Sequence, residues 1–497
     1  MSTKFNAVFG FFTFVGVLLF VGGIAVLCSM HSIMHAIQQK INRTLPLKDG
    51  SESFTNWLDP PVPVYMQFWV FNVTNPDDIV LHGAKPVVEQ LGPYTYREVR
   101  VKENVTFFND SQLISYIQGK SYVFDRDMSS GSENDTFISV NFPVLTVAAK
   151  LHNWPGLVQK AVKWVLEFEK ERLFESFSVR SYLFGFEDKL VKKINDAAYP
   201  FIRRKLIKTD TFGLFYQPPG TSDEYVVHSG AENVGDINVI EKWNNQSSLV
   251  FWETEYCNMI NGTDGTMWHP DVKTNDKLYL FSSDICRSIY ATHNGNVSVQ
   301  GIHLMHFEPP AEVFANHIEN PDNAGFCTPN CLGSGVLNIA RCKDGAPVVI
   351  SQPHFYQADQ MYIDAITGMH PSHDYQTYID VEPMTGVAMK VAKLLQVNIH
   401  IRQLKALNDT VHFNAENGTI FPLVWLNESA TITESSANAF KKEIMLPIKI
   451  ICDLRYVLIA VGAAIILALV VALFVKVRKE RADMKFEVMV NDVAGDT

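Results

Sequence analysis

The chain has 497 residues, 47% of them hydrophobic and 19% charged, with a formal net charge of −11. That length and composition exclude a chain too small or too polar to bury its own core; one large domain or two smaller ones are expected.

In chain order, the first predicted element is a helix. From Phe5 to Met30 there are 26 residues without a charge, enough at about 1.5 Å per residue to cross a hydrocarbon layer of about 30 Å. A cleaved signal peptide is the alternative, but the apolar run is longer than a usual signal core, and "VLCSM" offers no small-residue cleavage pattern. A membrane helix over 7–30 is therefore expected, after a short tail at 1–6.

"PVPVYMQFWVFNVT" at 61–74 reads as a strand from its aromatic and β-branched content. "PGLVQKAVKWVLEFEKERLFESF" at 155–177 has helical spacing instead: Leu157, Ala161 and Val165 recur, as do Val158, Val162 and Leu166, with Trp164 and Phe168 widening the apolar side. "EDKLVKKINDAAYPFIRRKL" at 187–206 predicts a second helix. Between 150 and 208 there are 13 Lys or Arg against seven Asp or Glu, a sign reversal that points to an anionic partner. "LVFWETEY" (249–256), "KLYLFSSDICRSIYATH" (277–293) and "VNIHIRQL" (397–404) read as further strands, with turn signals at "NGN" (294–296) and "MTG" (384–386). A mainly β, antiparallel core with some helix follows.

Tyr456 to Val475 gives 20 more uncharged residues, a second membrane helix, and Lys476, Arg478, Lys479, Arg481 and Lys485 behind it place the 476–497 tail in the cytoplasm. Residues 31–455 then form one extracellular or lumenal domain. The sequons agree. They fall at Asn42, Asn72, Asn104, Asn109, Asn134, Asn245, Asn261, Asn296, Asn408, Asn417 and Asn427, none in either tail, and predict a glycoprotein.

Topology also decides how to read "NAGFCTPNCLGSGVLNIARC" at 323–342. Cys286, Cys327, Cys331 and Cys342 could hold zinc as thiolates, but in an oxidising lumen they should pair. Their number fixes no connectivity; the favoured pairing is Cys286 with Cys342 and Cys327 with Cys331. Cys257 is left as a buried thiol.

Motifs for catalysis are weak. "LGSGV" (332–336) lacks the spacing of a nucleophile elbow, "HLMH" (303–306) lacks a metalloprotease glutamate, and "NGTDG" (261–265) lacks the remaining ligands of a cation loop. His303 and His306 read as ordinary strand histidines. The expectation is a protein that is not an enzyme and needs neither metal nor cofactor.

"GPYTYRE" (92–98), "FGLFY" (212–216), "CNMINGTDG" (257–265), "FSSDICRSIY" (281–290), "NPDNAGFC" (320–327), "PHFYQAD" (353–359) and "VWLNES" (424–429) together resemble the class B scavenger receptor family across nearly the whole chain. The resemblance implies an antiparallel β-barrel-like ectodomain, an apical helical bundle at about 150–208 and an internal apolar tunnel leading towards the bilayer. It also matches the favoured cysteine pairing. The implied ligands are lipoproteins, fatty acids, cholesterol or other anionic lipids, captured at Lys160, Lys163, Trp164, Phe168, Lys170 and Arg172. Nucleic acid is not an expected partner, and self-association stays open. Aligned without gaps, the two apical lysines of the fatty-acid-handling branch fall at Phe168 and Lys170, so one is kept. A histidine used by the lysosomal branch falls at Gly156, with His152 one turn away, and the tail has no dileucine or tyrosine-based sorting signal. A plasma-membrane lipid receptor is thus the leading expectation, and a lysosomal sorting receptor for a hydrolase such as glucocerebrosidase the alternative.

Overall fold

The computed structural model describes residues 2–151, 154–169, 172–207, 210–218, 221–401 and 418–494. Two compact units result: one from the chain ends, the other from Ile41–Thr433.

In the first unit, helix α1 (Ser2–Cys28) packs against helix α6 (Leu446–Ala494), the last helix of the chain. Both contain stretches long and apolar enough to cross a membrane. Their contact uses small residues: a Cβ at Gly16 would meet Ile465 Cγ2 at 2.8 Å, and one at Gly462 would meet the Phe20 backbone. Hydrogen is the only side chain that lets these backbones approach so closely. Helix α2 (Met30–Thr44) follows α1.

The second unit is built on one sheet of thirteen strands. In chain order they are β1 (Val64–Val73), β2 (Val88–Phe108), β3 (Leu113–Asp125), β4 (Asp223–His228), β5 (Ile240–Trp243), β6 (Lys277–Ser282), β7 (Arg287–Val299), β8 (Ile302–Glu308), β9 (Val336–Asn338), β10 (Val348–Ser351), β11 (Tyr378–Glu382), β12 (Val387–Ile401) and β13 (Thr419–Thr431). The strand path runs β6-β7-β8-β11-β12-β13-β1-β2-β3-β4-β5, antiparallel throughout, with β10 added to β12 and β9 to β10.

The two ends of this path meet. Ile240 of β5 donates to Gly262 O at 2.9 Å, while Thr263 donates to Tyr279 O and accepts from Phe281 of β6 at 3.2 and 2.9 Å. A single strap, 262–263, therefore stitches the open edges and nearly closes the sheet into a barrel, which removes unpaired backbone groups. Gly262 makes the strap feasible, because its φ is +87° and a Cβ there would collide with the Tyr279 carbonyl.

Aromatic and β-branched residues fill the sheet. Trp69 and Trp425 are cross-strand partners whose rings stack at 3.8 Å, and Trp268, Leu278, Phe307 and Val381 join one buried cluster. The expected strand at 61–74 falls on β1 and the described part of 397–404, up to Ile401, on β12, while 402–404 lie outside the described residues; 277–293 forms the β6–β7 hairpin. The "MTG" turn is present between β11 and β12, where the Glu382 carboxylate accepts from Thr385 N and Oγ1 at 2.9 and 2.6 Å.

Three expectations fail. "LVFWETEY" forms bends and the short helix Glu255–Asn258, because the Asn258 side chain binds both Trp252 N and O, at 3.0 and 2.8 Å, and holds the chain in a loop. "NGN" is a register irregularity inside β7, between His293 and Asn296, and makes no turn. The helix expected over 155–177 stops at Glu169, and Phe174–Ser178 pairs as a strand with Thr136–Val140.

Candidate functional site

The longer helices of the 142–202 region are α3 (Phe142–Leu151), α4 (Gly156–Glu169) and α5 (Lys189–Ile202), with the strand Phe174–Ser178 and a short helix Val179–Phe184 between α4 and α5. Asp188 caps α5, accepting from Leu190 N at 2.8 Å, and Arg203 ends it in the left-handed region. Buried Asn195 then fixes the return: its Oδ1 accepts from Leu206 and Ile207 N at 2.9 and 3.0 Å, and its Nδ2 donates to Ile207 O. Helices α4 and α5 pack together, with Lys193 bonded to Glu169.

On α4 the inward face is Val158, Val162, Val165 and Leu166, all buried. Leu157, Lys160, Trp164 and Phe168 recur at i, i+3, i+7 and i+11 and make a separate stripe on the water side. Leu157 is 65% exposed, Trp164 63% and Phe168 69%, and the two rings stack at 5.4 Å. Trp164 and Phe168, expected to widen the apolar side of this helix, do so on its exposed face, apart from the buried valines. Lys160, Trp164 and Phe168 share this stripe; Lys163 is half-buried at its flank, and Arg172 is exposed beyond the helix end. Lys170 and His152 lie outside the described residues, as do Asn408 and Asn417. Of the other sequons, Asn104, Asn109, Asn134, Asn245 and Asn296 are exposed, whereas Asn42, Asn72, Asn261 and Asn427 are half-buried.

A second feature lies within the barrel. The period-2 alternation of strands puts Glu98, Arg100 and Lys102 of β2 on one face, with Lys120 and Tyr122 of β3 paired opposite Arg100 and Glu98. Val99, Val101 and Val123 occupy the other, solvent-facing side. The inward face continues to Glu428 of β13 and its cross-strand partner Lys393 of β12. These side chains form one ion network: Arg100 binds Glu98 at 3.0 Å and also Glu428, while Lys393 binds Glu428 at 3.0 Å and also Asp284, with Lys120 3.9 Å from Asp284. Asp284 sits two residues before Cys286, which is bonded to Cys342, so this disulfide helps hold the β6–β7 turn against the network.

Electrostatics reflect the pairing. Burial pushes the Glu428 carboxyl up, but Lys393 and Arg100 override it and hold it at about 2. Lys120 and Lys393 keep the Asp284 carboxyl well below the usual range. Although protein surrounds the network, Arg100 and Lys393 keep 29% and 28% of their side-chain surface free and Asp284 keeps 48%. An apolar tunnel was expected within the barrel, and the face of β2, β12 and β13 opposite Val99 and Val101 carries these charges. Sequence reading missed the network because its members lie up to 330 positions apart, from Glu98 to Glu428; the one local signal is the alternating charge in "REVRVK" at 97–102.

The remaining sequence motifs have structural roles. The structure joins Cys286 to Cys342 and Cys327 to Cys331 and leaves Cys257 buried and unpaired. His317 lies near Cys327 and Cys331, but sulfurs joined to each other are not thiolate ligands. Asp264 of "NGTDG" accepts from Asn238 and Thr266 at 2.7 and 2.5 Å, and Ser334 of "LGSGV" donates to Glu319 at 2.6 Å. His306 in β8 lies between Asp380 and Glu308 at 2.5 and 3.1 Å.

A family model described as the CD36 family matches residues 14–473, which takes in the barrel and reaches into both candidate membrane helices. The chain belongs to the CD36 family. Among CD36-family relatives, human "Lysosome membrane protein 2" is 42% identical over 434 residues, covering 86% of this chain and 87% of the relative. Its mouse counterpart is 39% identical over 437 residues, with 86% and 87% covered. Cattle "Scavenger receptor class B member 1" is 32% identical over 456 residues, covering 91% of this chain and 87% of the relative. The nearly closed antiparallel sheet and the two terminal apolar helices suit that family, and this chain is a membrane receptor of it.

Proposed function

We propose that this CD36-family receptor captures anionic lipids or lipoprotein particles on the Leu157–Phe168 stripe and passes lipid through the barrel interior to the bilayer, without covalent chemistry. The observation that carries the reading is the stripe itself. Three large apolar side chains, each more than 60% exposed, stand beside Lys160 on one helix face, and the region around them is rich in Lys and Arg. Leaving such a group in water forgoes about 1.5–3 kcal/mol per side chain, which contact with acyl chains would recover. The cations draw anionic headgroups to it. Beyond the stripe, the ionic lining near Lys393 and Asp284 would favour a polar headgroup over an alkane inside the barrel.

Titration of the purified full chain with a fluorescent long-chain fatty acid tests the reading. Saturable binding that unlabelled fatty acid displaces is expected; purely linear, non-competable partition would overturn it.

The higher identity to "Lysosome membrane protein 2" supports a second reading, a receptor resident in the lysosomal membrane that carries a lumenal protein such as a hydrolase. Steady-state location separates the two. A lipid receptor of the plasma membrane is labelled on intact cells, whereas the carrier is labelled only after permeabilisation and overlaps lysosomal markers.

A further inference from the structure

Arg287 opens β7 directly after Cys286 and is only 6% exposed. Its guanidinium lies 3.8 Å from the Phe326 ring centre and 5.5 Å from that of Phe314. Nε donates to Ser288 O at 3.3 Å and Nη2 to Asn323 Oδ1 at 3.5 Å, and among the described residues no carboxylate pairs with it. A guanidinium carries five N–H donors, so most of its capacity is unused by protein. Burial lowers its pKa to about 10, which still leaves it charged at neutral pH. An unpaired buried cation is costly, so a counter-charge is called for.

The surroundings offer room for one. A cavity of about 30 Å³ adjoins Arg287, Asn323, Asn338 and the Cys327–Cys331 disulfide, and its lining contains no Asp or Glu. Asn338 Oδ1 accepts from Ala340 N at 2.9 Å, which leaves its amide Nδ2 as a second donor at the cavity. Asn323 spends its own amide on the carbonyls of Glu312, Val313 and Ala315, so its Oδ1 is what faces the guanidinium. Such a volume holds about two waters or one halide ion. Phosphate or sulfate would bring more bulk and charge than one cation and one amide can satisfy.

We infer that this cavity is a resident site for a small monovalent anion of chloride size, held between the Arg287 guanidinium and the Asn338 amide. The anion neutralises the cation beneath the cysteine-rich loop and ties β7 to the 323–338 segment. The site is separate from the helical stripe and does not depend on the receptor reading.

The test compares the purified full chain in sodium chloride and in sodium gluconate at equal ionic strength, gluconate being far bulkier than a halide. At a tenfold excess over the dissociation constant, chloride should raise the unfolding midpoint by roughly 2 °C. Asn338→Val, which keeps the cation, should lose at least half of that shift, and Arg287→Gln all of it. Crystals of the full chain grown in bromide should show an anomalous peak within about 3.5 Å of an Arg287 Nη atom. Equal midpoints in the two salts, a chloride shift undiminished in the Asn338→Val chain, or a cavity holding only water in bromide would each overturn the inference.

Discussion

On α4, Leu157, Trp164 and Phe168 keep about two thirds of their surface in water, whereas Glu98, Arg100, Lys393 and Glu428 turn inward from the sheet. Each region reverses the usual placement of apolar and charged side chains, and for different reasons. The interior charges are matched to one another, so their cost is offset locally and reappears only when one partner is removed. The stripe has no such partner within the described residues, and folding gains little from it. What the molecule retains without benefit to its own stability is best sought on the stripe.

Substitutions that break this contrast should rank by region. Replacing Cys286 and Cys342 together by serine opens a loop with a sequence separation of 56 and frees the turn carrying Asp284; about 4 kcal/mol of stability should be lost in denaturant unfolding. Glu428→Ala leaves Arg100 and Lys393 facing each other, and a loss of about 3 kcal/mol is expected from the same measurement.

A pH series sharpens the interior side of the comparison. The Glu428 carboxyl titrates at about 2 in the fold against an ordinary 4.5, so its stabilisation is full above pH 4.5 and disappears as pH falls towards 2. His354 acts earlier. Burial lowers it to about 4, its Nδ1 accepts from His370 N at 3.2 Å, and its Nε2 must donate to Gln90, whose Oε1 also accepts from Trp425. The unfolded chain takes up that proton near pH 6.5 and the fold does not, so about 3 kcal/mol should be lost between pH 6.5 and 4. A His354→Asn chain should show a flatter profile in that window, and an unchanged slope would remove His354 from the account.

At the small end, Trp164→Ala, Phe168→Ala or Lys160→Glu should each shift stability by no more than about 0.5 kcal/mol. Binding of anionic vesicles, read by co-sedimentation, should nonetheless fall. A marked loss of stability in these chains would mean that the stripe is part of the core.

Much of the barrel was legible because its strands carry runs of aromatic and β-branched residues, and the paired apolar residues of α4 announced a helix. Its orientation was not. Two apolar stripes, one through Val158 and Val162 and one through Leu157, Trp164 and Phe168, have the same period, and only the neighbouring helix α5 decides which is buried. "LVFWETEY" misled because strand propensity lost to local bonds from Asn258 and to the Trp252 indole, which donates to Cys286 O at 2.7 Å. The ion network had no sequence signature beyond the alternating charge of "REVRVK", since closing the sheet is what brings Glu98 and Glu428 to a common arginine. That the four cysteines form disulfides, by contrast, followed once the topology was read, while their connectivity did not.

The most direct measurement is the binding of anionic lipid vesicles by the full chain carrying Lys160→Glu, Trp164→Ala and Phe168→Ala together, with the unfolding midpoint recorded on the same samples. The account predicts at least a tenfold weaker affinity, about 1.4 kcal/mol, at an unchanged midpoint. Undiminished binding by a fully folded triple variant would contradict it.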